Sequence, residues 1–439
     1  MNTLLIKHPC RLLLLSVSCW ILLTGCPKKD KHKIPVKNTP QTTHALPLDS
    51  LEAFSSVLTP SPWLKDFWSI PIPFQGNPPY HWTKEEKDIS AEGCKSCHPH
   101  QFADWSRSMH AHSTKNGIIH QLSRDMHLPA HISKNCNQCH NPLVEQSIKT
   151  TNGKVNPAFN QTLYKEGVTC IGCHVRKRTY FGPAPDSSNT NQNKHNGFII
   201  KNEFSSSAFC SPCHDLQPGN KKVNGKLLLE TGEEWRRTRL SAAGMTCQKC
   251  HMPDKKHLFK GIRDSATVKE ALSIQLVLKQ RGERKAPFKG HPPLEGKDSI
   301  IAELAVTNLG AAHRVPTYIN SQIRVILEQL DSSGNIIQSS VKTGIIGRKM
   351  SLDLKFEVFD TRLLPGEKFY LGYKLKRHPS TESLRGRIEV WPDQHNYELY
   401  KTFLNNPESK QSPSYQLIKK ALNQAEISRY VLWEKKMRI

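Results

Sequence analysis

After residue 25 the sequence holds no apolar run long enough to cross a bilayer, so no later segment reads as a membrane-spanning helix. Cysteine for disulfides is missing as well. Of 13 cysteines, ten sit in five copies of one motif, two lie in the leader and one follows it. An exported chain normally spends spare cysteines on bridges, and here none remains. Acidic residues are few, 38 against 62 Lys and Arg, for a formal net charge of +24. Such a surplus suits an acidic partner or an anion. Nucleic acid is a poor reading for an exported chain, whatever its charge. Long apolar periodic runs are lacking between residues 94 and 251, so that stretch has little core of its own to bury.

What the stretch does contain is repetition. Cys94-Lys95-Ser96-Cys97-His98 recurs as Cys136 to Cys139-His140, Cys170 to Cys173-His174, Cys210 to Cys213-His214, and Cys247 to Cys250-His251. This is the attachment motif of c-type haem. Two thiols three residues apart share one helical turn and add across the haem's vinyl groups, and the next imidazole reaches the iron. The intervals of 42, 34, 40 and 37 residues, each with its histidine, exclude chance and half-zinc sites. Five covalently bound c-type haems are expected in 158 residues, and the porphyrins supply the missing core. Their propionates make the loaded protein less basic than its sequence.

The leader sets the compartment. Lys7 and Arg11 precede the apolar run Leu12 to Leu23, which ends in Leu23-Thr24-Gly25-Cys26. About a dozen apolar residues suit a signal peptide's core, and the small pair before cysteine reads as a lipobox. Residues 1–25 are therefore expected to be removed and Cys26 lipidated, since acyl chains anchor at about 0.8 kcal/mol per buried methylene. This makes an exported bacterial lipoprotein, tethered to the membrane on the periplasmic side or at the cell surface. Pro27 favours the outer membrane. Residues 26–60, rich in Lys, Pro, Thr and Ser, read as a flexible spacer.

Composition then splits the remainder. Residues 61–267 form the expected pentahaem domain of short helices and long loops. After Val268 the pattern alternates at period two, as in Leu272, Ile274, Leu276 and Leu278. Strands are expected over 299–307, 322–330, 335–342, 368–376 and 387–391, with turns at Asp331-Ser332-Ser333-Gly334 and Pro365-Gly366. That predicts an all-β, Ig-like sandwich domain over 268–400. In the tail, 401–439, helical spacing of Leu417, Ile418, Ala421, Leu422 and Ala425 predicts an amphipathic helix over 415–433. The fold class is multidomain: a haem-packed, mostly α and loop domain, the β domain, and a C-terminal helix.

Around the motifs, longer matches resemble a known group. Gln101-Phe102-Ala103-Asp104-Trp105 and Ser108-Met109-His110-Ala111 follow the first motif, Glu166-Gly167-Val168-Thr169 precedes the third, and Met252-Pro253 follows the fifth. These resemble cytochrome c-554-type multihaem cytochromes, relatives of pentahaem nitrite reductase and hydroxylamine oxidoreductase. In that group a tryptophan lies seven residues past the haem histidine, as Trp105 does, and a histidine five further on commonly ligates a neighbouring haem, as His110 would. Gly310-Ala311-Ala312-His313-Arg314-Val315-Pro316-Thr317 resembles an element of β-domains attached to some multihaem cytochromes. The chain departs from the relatives too. Nitrite reductase replaces one motif histidine with lysine, whereas all five motifs here end in histidine. No tyrosine matches the crosslink of hydroxylamine oxidoreductase, and the c-554 protein has four haems and no β-domain.

Five bis-histidine haems need five distal histidines besides His98, His140, His174, His214 and His251. Thirteen candidates remain once His8, His32 and His44 are set aside. His110 ranks first on the matched spacing. His131, five residues before the second motif, His195, in an Asn-rich loop, His257, after the fifth motif, and His313 are the others, with His112, His120 and His127 as rivals. His100 is too close to its own motif. Trp105 and Trp235 read as packing against porphyrin, and Arg176, Lys177 and Arg178 either as propionate partners or as a solvated basic patch.

Five haems in so short a stretch must lie nearly edge to edge. Bis-histidine ligation lowers haem potential and closes the iron to substrate. The expected function is electron transfer between respiratory redox partner proteins, an electron carrier rather than an enzyme. The alternative is a reductase or oxidase of a small nitrogen or sulfur compound at one five-coordinate haem.

Overall fold

Side-chain caps decide where the helices of the haem region begin. Ser90 accepts from Gly93 N at 3.2 Å, Asn160 from Thr162 and Leu163 N, and Thr83 closes a capping box with Glu86. Extended residues or loops stop them early: Pro99–Arg107, the longest described helix before residue 260, has nine residues. The computed structural model describes residues 60–114, 137–150, 152–185, 197–216, 222–279 and 299–439, all within one compact unit. After the third motif a small sheet forms from β1 (Val175–Arg176), β2 (Thr179–Gly182) and β3 (Phe198–Ile200). Aromatic side chains fill this region. Phe67, Phe204, Phe209 and Trp235 are buried together, with Trp63, Trp68 and Phe181 against them.

Helix Ser265–Ala271, capped by Asp264, leads into the sheets. One has the order β4 (Leu272–Leu278), β5 (Ser299–Asn308), β9 (Lys368–Lys376). The other runs β11 (Tyr430–Arg438), β10 (Ser383–Trp391), β6 (Gln322–Leu330), β7 (Lys342–Met350), β8 (Glu357–Asp360). Every pairing in both is antiparallel. The period-two pattern does the work: in β10, Leu384, Gly386, Ile388 and Val390 are buried and their neighbours half-buried. They meet Ile323, Val325, Leu327 and Ile346, and Leu276, Leu304, Val306 and Leu371 of the other sheet, in one core. Each buried aliphatic side chain contributes about 1.5–3 kcal/mol. Helices Gln394–Asn405 and Tyr415–Ile427 pack on each other through Tyr400, Ile418 and Ala421. No helix among the described residues is long and apolar enough to cross a membrane.

Two sequence expectations shift. The strand expected at 335–342 begins only at Lys342, after a 3-10 turn at Gln338–Ser340. Asp331 Oδ1 takes the amides of Ser333 and Asn335, and Ser340 donates to Ile337 O at 2.6 Å and accepts from Gln329 N at 2.8 Å, so side chains use the bonds a ladder needs. The tail helix ends at Ile427, and Tyr430–Arg438 is instead the edge strand β11. Its Tyr-Val-Leu-Trp start favours strand, and Leu432 reaches the shared core.

Candidate haem-binding centres

Each motif closes on itself before anything else touches it. His98 N donates to Cys94 O at 2.9 Å and His214 N to Cys210 O at 3.2 Å, one helical turn that brings thiols and imidazole to one side. The nine described cysteines are all free thiols. They also come together between motifs: Cys94 stands beside Cys170, Cys139 beside Cys213, and Cys210 beside Cys247. Burial pushes the Cys173 thiol up to about 11, with Arg176 pulling the other way.

The imidazoles are held by their Nδ1 atoms. His140 Nδ1 bonds Ser113 O at 2.8 Å, His174 Nδ1 bonds Phe181 O at 2.9 Å, and His251 Nδ1 bonds Lys260 O. A carbonyl can only accept, so Nδ1 carries the proton and Nε2 keeps a bare lone pair, the tautomer a metal needs. His214 differs: its Nδ1 lies 2.6 Å from the Tyr318 phenol. Burial pulls His140, His174 and His214 down. His174 and His214 fall to about 4, and His110 to about 3, through desolvation first and neighbouring imidazoles second.

Three motif histidines face a second imidazole. His110 and His214, His174 and His257, and His251 and His313 each stand 6.2 Å apart between ring centres. A metal–imidazole bond is about 2.0–2.1 Å and the ring centre lies about 1.1 Å behind its nitrogen, so two rings sharing one metal stand about 6.3 Å apart. The His251 and His313 planes differ by 16°.

Local chemistry explains how these rings arrive. Gly167, at φ +68°, passes so close to the His110 loop that a Cβ would stand 2.7 Å from His110 O. Val168 N then donates to His110 O and Ser113 Oγ, each at 3.0 Å, and Trp105 Nε1 donates to Val168 O at 2.8 Å. Glu166 accepts from Ala91 N and Thr169 Oγ1, tying the helix of the first motif to the turn before the third. Asp104 accepts from His257 N at 3.2 Å, and Phe259 packs edge-on to His110 at 4.2 Å. His313 sits in the loop after β5. There Gly310 runs against Ala271, Asn308 donates to His313 O at 2.9 Å, and Glu234 accepts from Arg314 N at 3.0 Å.

The donor set fits haem: paired thiols, neutral imidazoles with fixed tautomers, and aromatic surroundings. Buried donors without partners fit as well. Trp68 Nε1, Trp82 Nε1, Asn141 Nδ2, Arg176 Nη2 and Arg236 Nε have no acceptor, and a propionate is an acceptor-only group.

Residues 93–175 match the family model described as cytochrome c554 and c-prime. Over that stretch the chain is similar to multihaem cytochromes c of the c554 type. A penta-haem cytochrome c552 from Thermochromatium tepidum superposes with a TM-score of 0.54 at 19% identity, covering 80% of this chain and 99% of that one. At that identity the likeness is one of fold. A structural-genomics target, at a TM-score of 0.14 and 11% identity over 27% of this chain and 73% of its own, carries no argument. No curated protein matches the chain.

Of the expected site residues, His98, His110, His140, His174, His214, His251, His257 and His313 lie in this cluster, with His98 near His174 and His257. Cys26, Cys136, His131 and His195 lie outside the described residues. Arg176 stacks on Phe67 at 3.7 Å and bonds the carbonyls of Phe67, Gly172 and Val175, which makes it a buried clamp rather than a solvated patch. Arg178 bonds Gly76 O and Lys87 O. Trp105 is buried packing. Sequence reasoning missed Tyr318 and Glu234. Tyr318 follows Pro316-Thr317 directly, and that adjacency was the available signal.

Proposed function

We propose that this chain binds five c-type haems and relays electrons between respiratory redox partners, tethered through lipidated Cys26 in the periplasm or at the cell surface. The three imidazole pairs at 6.2 Å carry the reading, because each joins a motif histidine to one from a different part of the chain. When bound, the haems supply one-electron chemistry at closely spaced irons. His110, His257 and His313 would supply the second imidazole to haems at the fourth, third and fifth motifs. Thiol contacts place motif 1 beside 3, 2 beside 4 and 4 beside 5, and Cys173 of motif 3 lies near Cys210 and Cys213 of motif 4, which together support an unbroken path. Buried carbonyl acceptors hold His140, His174 and His251 in one orientation, so little reorganisation accompanies a change of charge at the metal.

We read the two sheets as an Ig-like sandwich, with its junction to the haem domain at helix Ser265–Ala271. It stands as part of the haem apparatus, since it delivers His313. The test is haem quantified per chain with low-temperature electron paramagnetic resonance of the oxidised protein. Five low-spin haems are expected, and His313→Ala should convert one to high spin. A high-spin haem in the native protein that responds to nitrite or hydroxylamine would overturn the carrier reading.

A further inference from the structure

Unlike His140, His174 and His251, His214 meets a side chain at Nδ1 in place of a backbone carbonyl. The Tyr318 phenol that meets it is half-buried, comes from the loop before β6, and has the Thr231 hydroxyl beside it. Thr231 Oγ1 lies 2.8 Å from Thr317 Oγ1, and Thr317 donates to Glu234 Oε2 at 3.3 Å. The four side chains form a line from a haem ligand to a carboxylate.

The direction of that line follows from its far end. Glu234 is buried between Arg314 at 3.0 Å and Arg362 at 3.3 Å, and a carboxylate so placed only accepts. Thr317 spends its proton on Glu234 and so accepts from Thr231. Thr231 has then spent its own proton and accepts from Tyr318. The Tyr318 oxygen is left to accept the Nδ1–H of His214. Every link points toward the negative charge, and aligned links polarise one another. The result is a fixed tautomer with Nε2 bare and an imidazole that carries more negative charge than a free one. Such a ligand favours ferric over ferrous iron.

We propose that Tyr318, backed by Thr231, Thr317 and Glu234, is a positioning residue that fixes the tautomer of His214 and lowers the reduction potential of the haem at the fourth motif. The inference rests on the reading of His214 as that haem's ligand. It gives the β sheets a second purpose beside delivering His313: through Thr317 and Tyr318 they set the potential of a haem whose thiols belong to another part of the chain. A backbone carbonyl cannot be tuned by substitution, and this acceptor can.

The experiment is a spectroelectrochemical titration of the full-length, haem-loaded protein, paired with electron paramagnetic resonance. Tyr318→Phe keeps the ring and removes the acceptor. It should retain five haems and raise one potential by the equivalent of about a tenfold change in ferric preference, ~59 mV for one electron. One low-spin signal should move and the others stay. Thr317→Val, which touches no ligand, should shift the same haem in the same direction by less. If Tyr318→Phe fails to load five haems, Thr317→Val decides alone on the same readout. Potentials unchanged in both variants, or several haems moving together, would overturn the proposal. His214→Ala separates the two readings. If it leaves every low-spin haem intact, His214 is no ligand and the premise falls. If it costs one low-spin haem while Tyr318→Phe and Thr317→Val are silent, only the tuning role falls.

Discussion

Arg348 offers the sharpest test of how the sheets are fastened to the haem region. Its side chain is completely buried. Nε donates to Glu357 at 2.8 Å, Nη2 to Val223 O at 3.1 Å and Nη1 to Leu227 O. Arg348→Met keeps most of the volume and deletes all three bonds. Glu357 retains Lys226 and Asn224, so the carboxylate is not stranded. Val223 O also retains Lys226 N, whereas Leu227 O is left empty, at about 1–3 kcal/mol for a buried acceptor. Breaking a buried pair from one side costs about 3–5 kcal/mol, and the retained Lys226 places this case near 3. At about 1.4 kcal/mol per decade, amides that open with this segment should exchange roughly a hundredfold faster. Leu216 N, bonded to Leu229 O, and Val223 N, bonded to Lys226 O, are the reporters in native-state hydrogen exchange. Arg438→Met is the control, because the Arg438–Glu382 pair is 88% and 47% exposed and such pairs contribute about 0–1 kcal/mol. Equal effects from the two variants, or less than a tenfold change at Arg348, would refute the reasoning.

Gly167→Ala should cost on the order of 3 kcal/mol, from the left-handed backbone and a Cβ against His110 O, and should displace the His110 loop. Thermal unfolding and one altered low-spin signal check it. Gly310→Ala meets the backbone of Glu270 and Ala271 and should disturb the His313 signal instead. Burial raises Asp360, yet Arg362 and Lys226 hold it well below the usual carboxylate range, and Lys226, Asn224 and Arg348 likewise outweigh burial at Glu357. Folded values below unfolded ones mean stability present above the ordinary range and lost on acidification through the folded values. Urea midpoints should therefore be flat from pH 7 to about 5 and fall below about 4. Asp360→Asn should lessen that fall.

Much of this was legible because haem chemistry fixes spacing. Two thiols and an imidazole must share one turn, so the motifs declare themselves in any context. Strands β4, β5, β6 and β9 were legible from the period-two alternation of the residues that enter the shared core. The turn near Gln338 was not, because Ser340 and Asp331 compete locally for backbone groups, and propensity does not register that. Nor was the tail strand, where Leu432 entering the core decides between helix and sheet. Distal histidines were legible as candidates only. Which imidazole faces which motif depends on contacts such as Gly167 on His110 O and Asp104 on His257 N, between residues 57 and 153 positions apart. Tyr318 and Glu234 are ordinary in sequence, and only the fold lines them up.

The separation of 62 positions from His251 to His313 bears on maturation. A thioether and its adjacent imidazole are local, and they form as soon as the fifth motif is in hand. The facing imidazole arrives only when β5 and its following loop have docked, a long-range closure of the kind that slows folding. Between those two events a haem held at this motif would have one histidine and an open face. Its spin state would then be a clock internal to the molecule, reporting when the sheets close over a finished attachment.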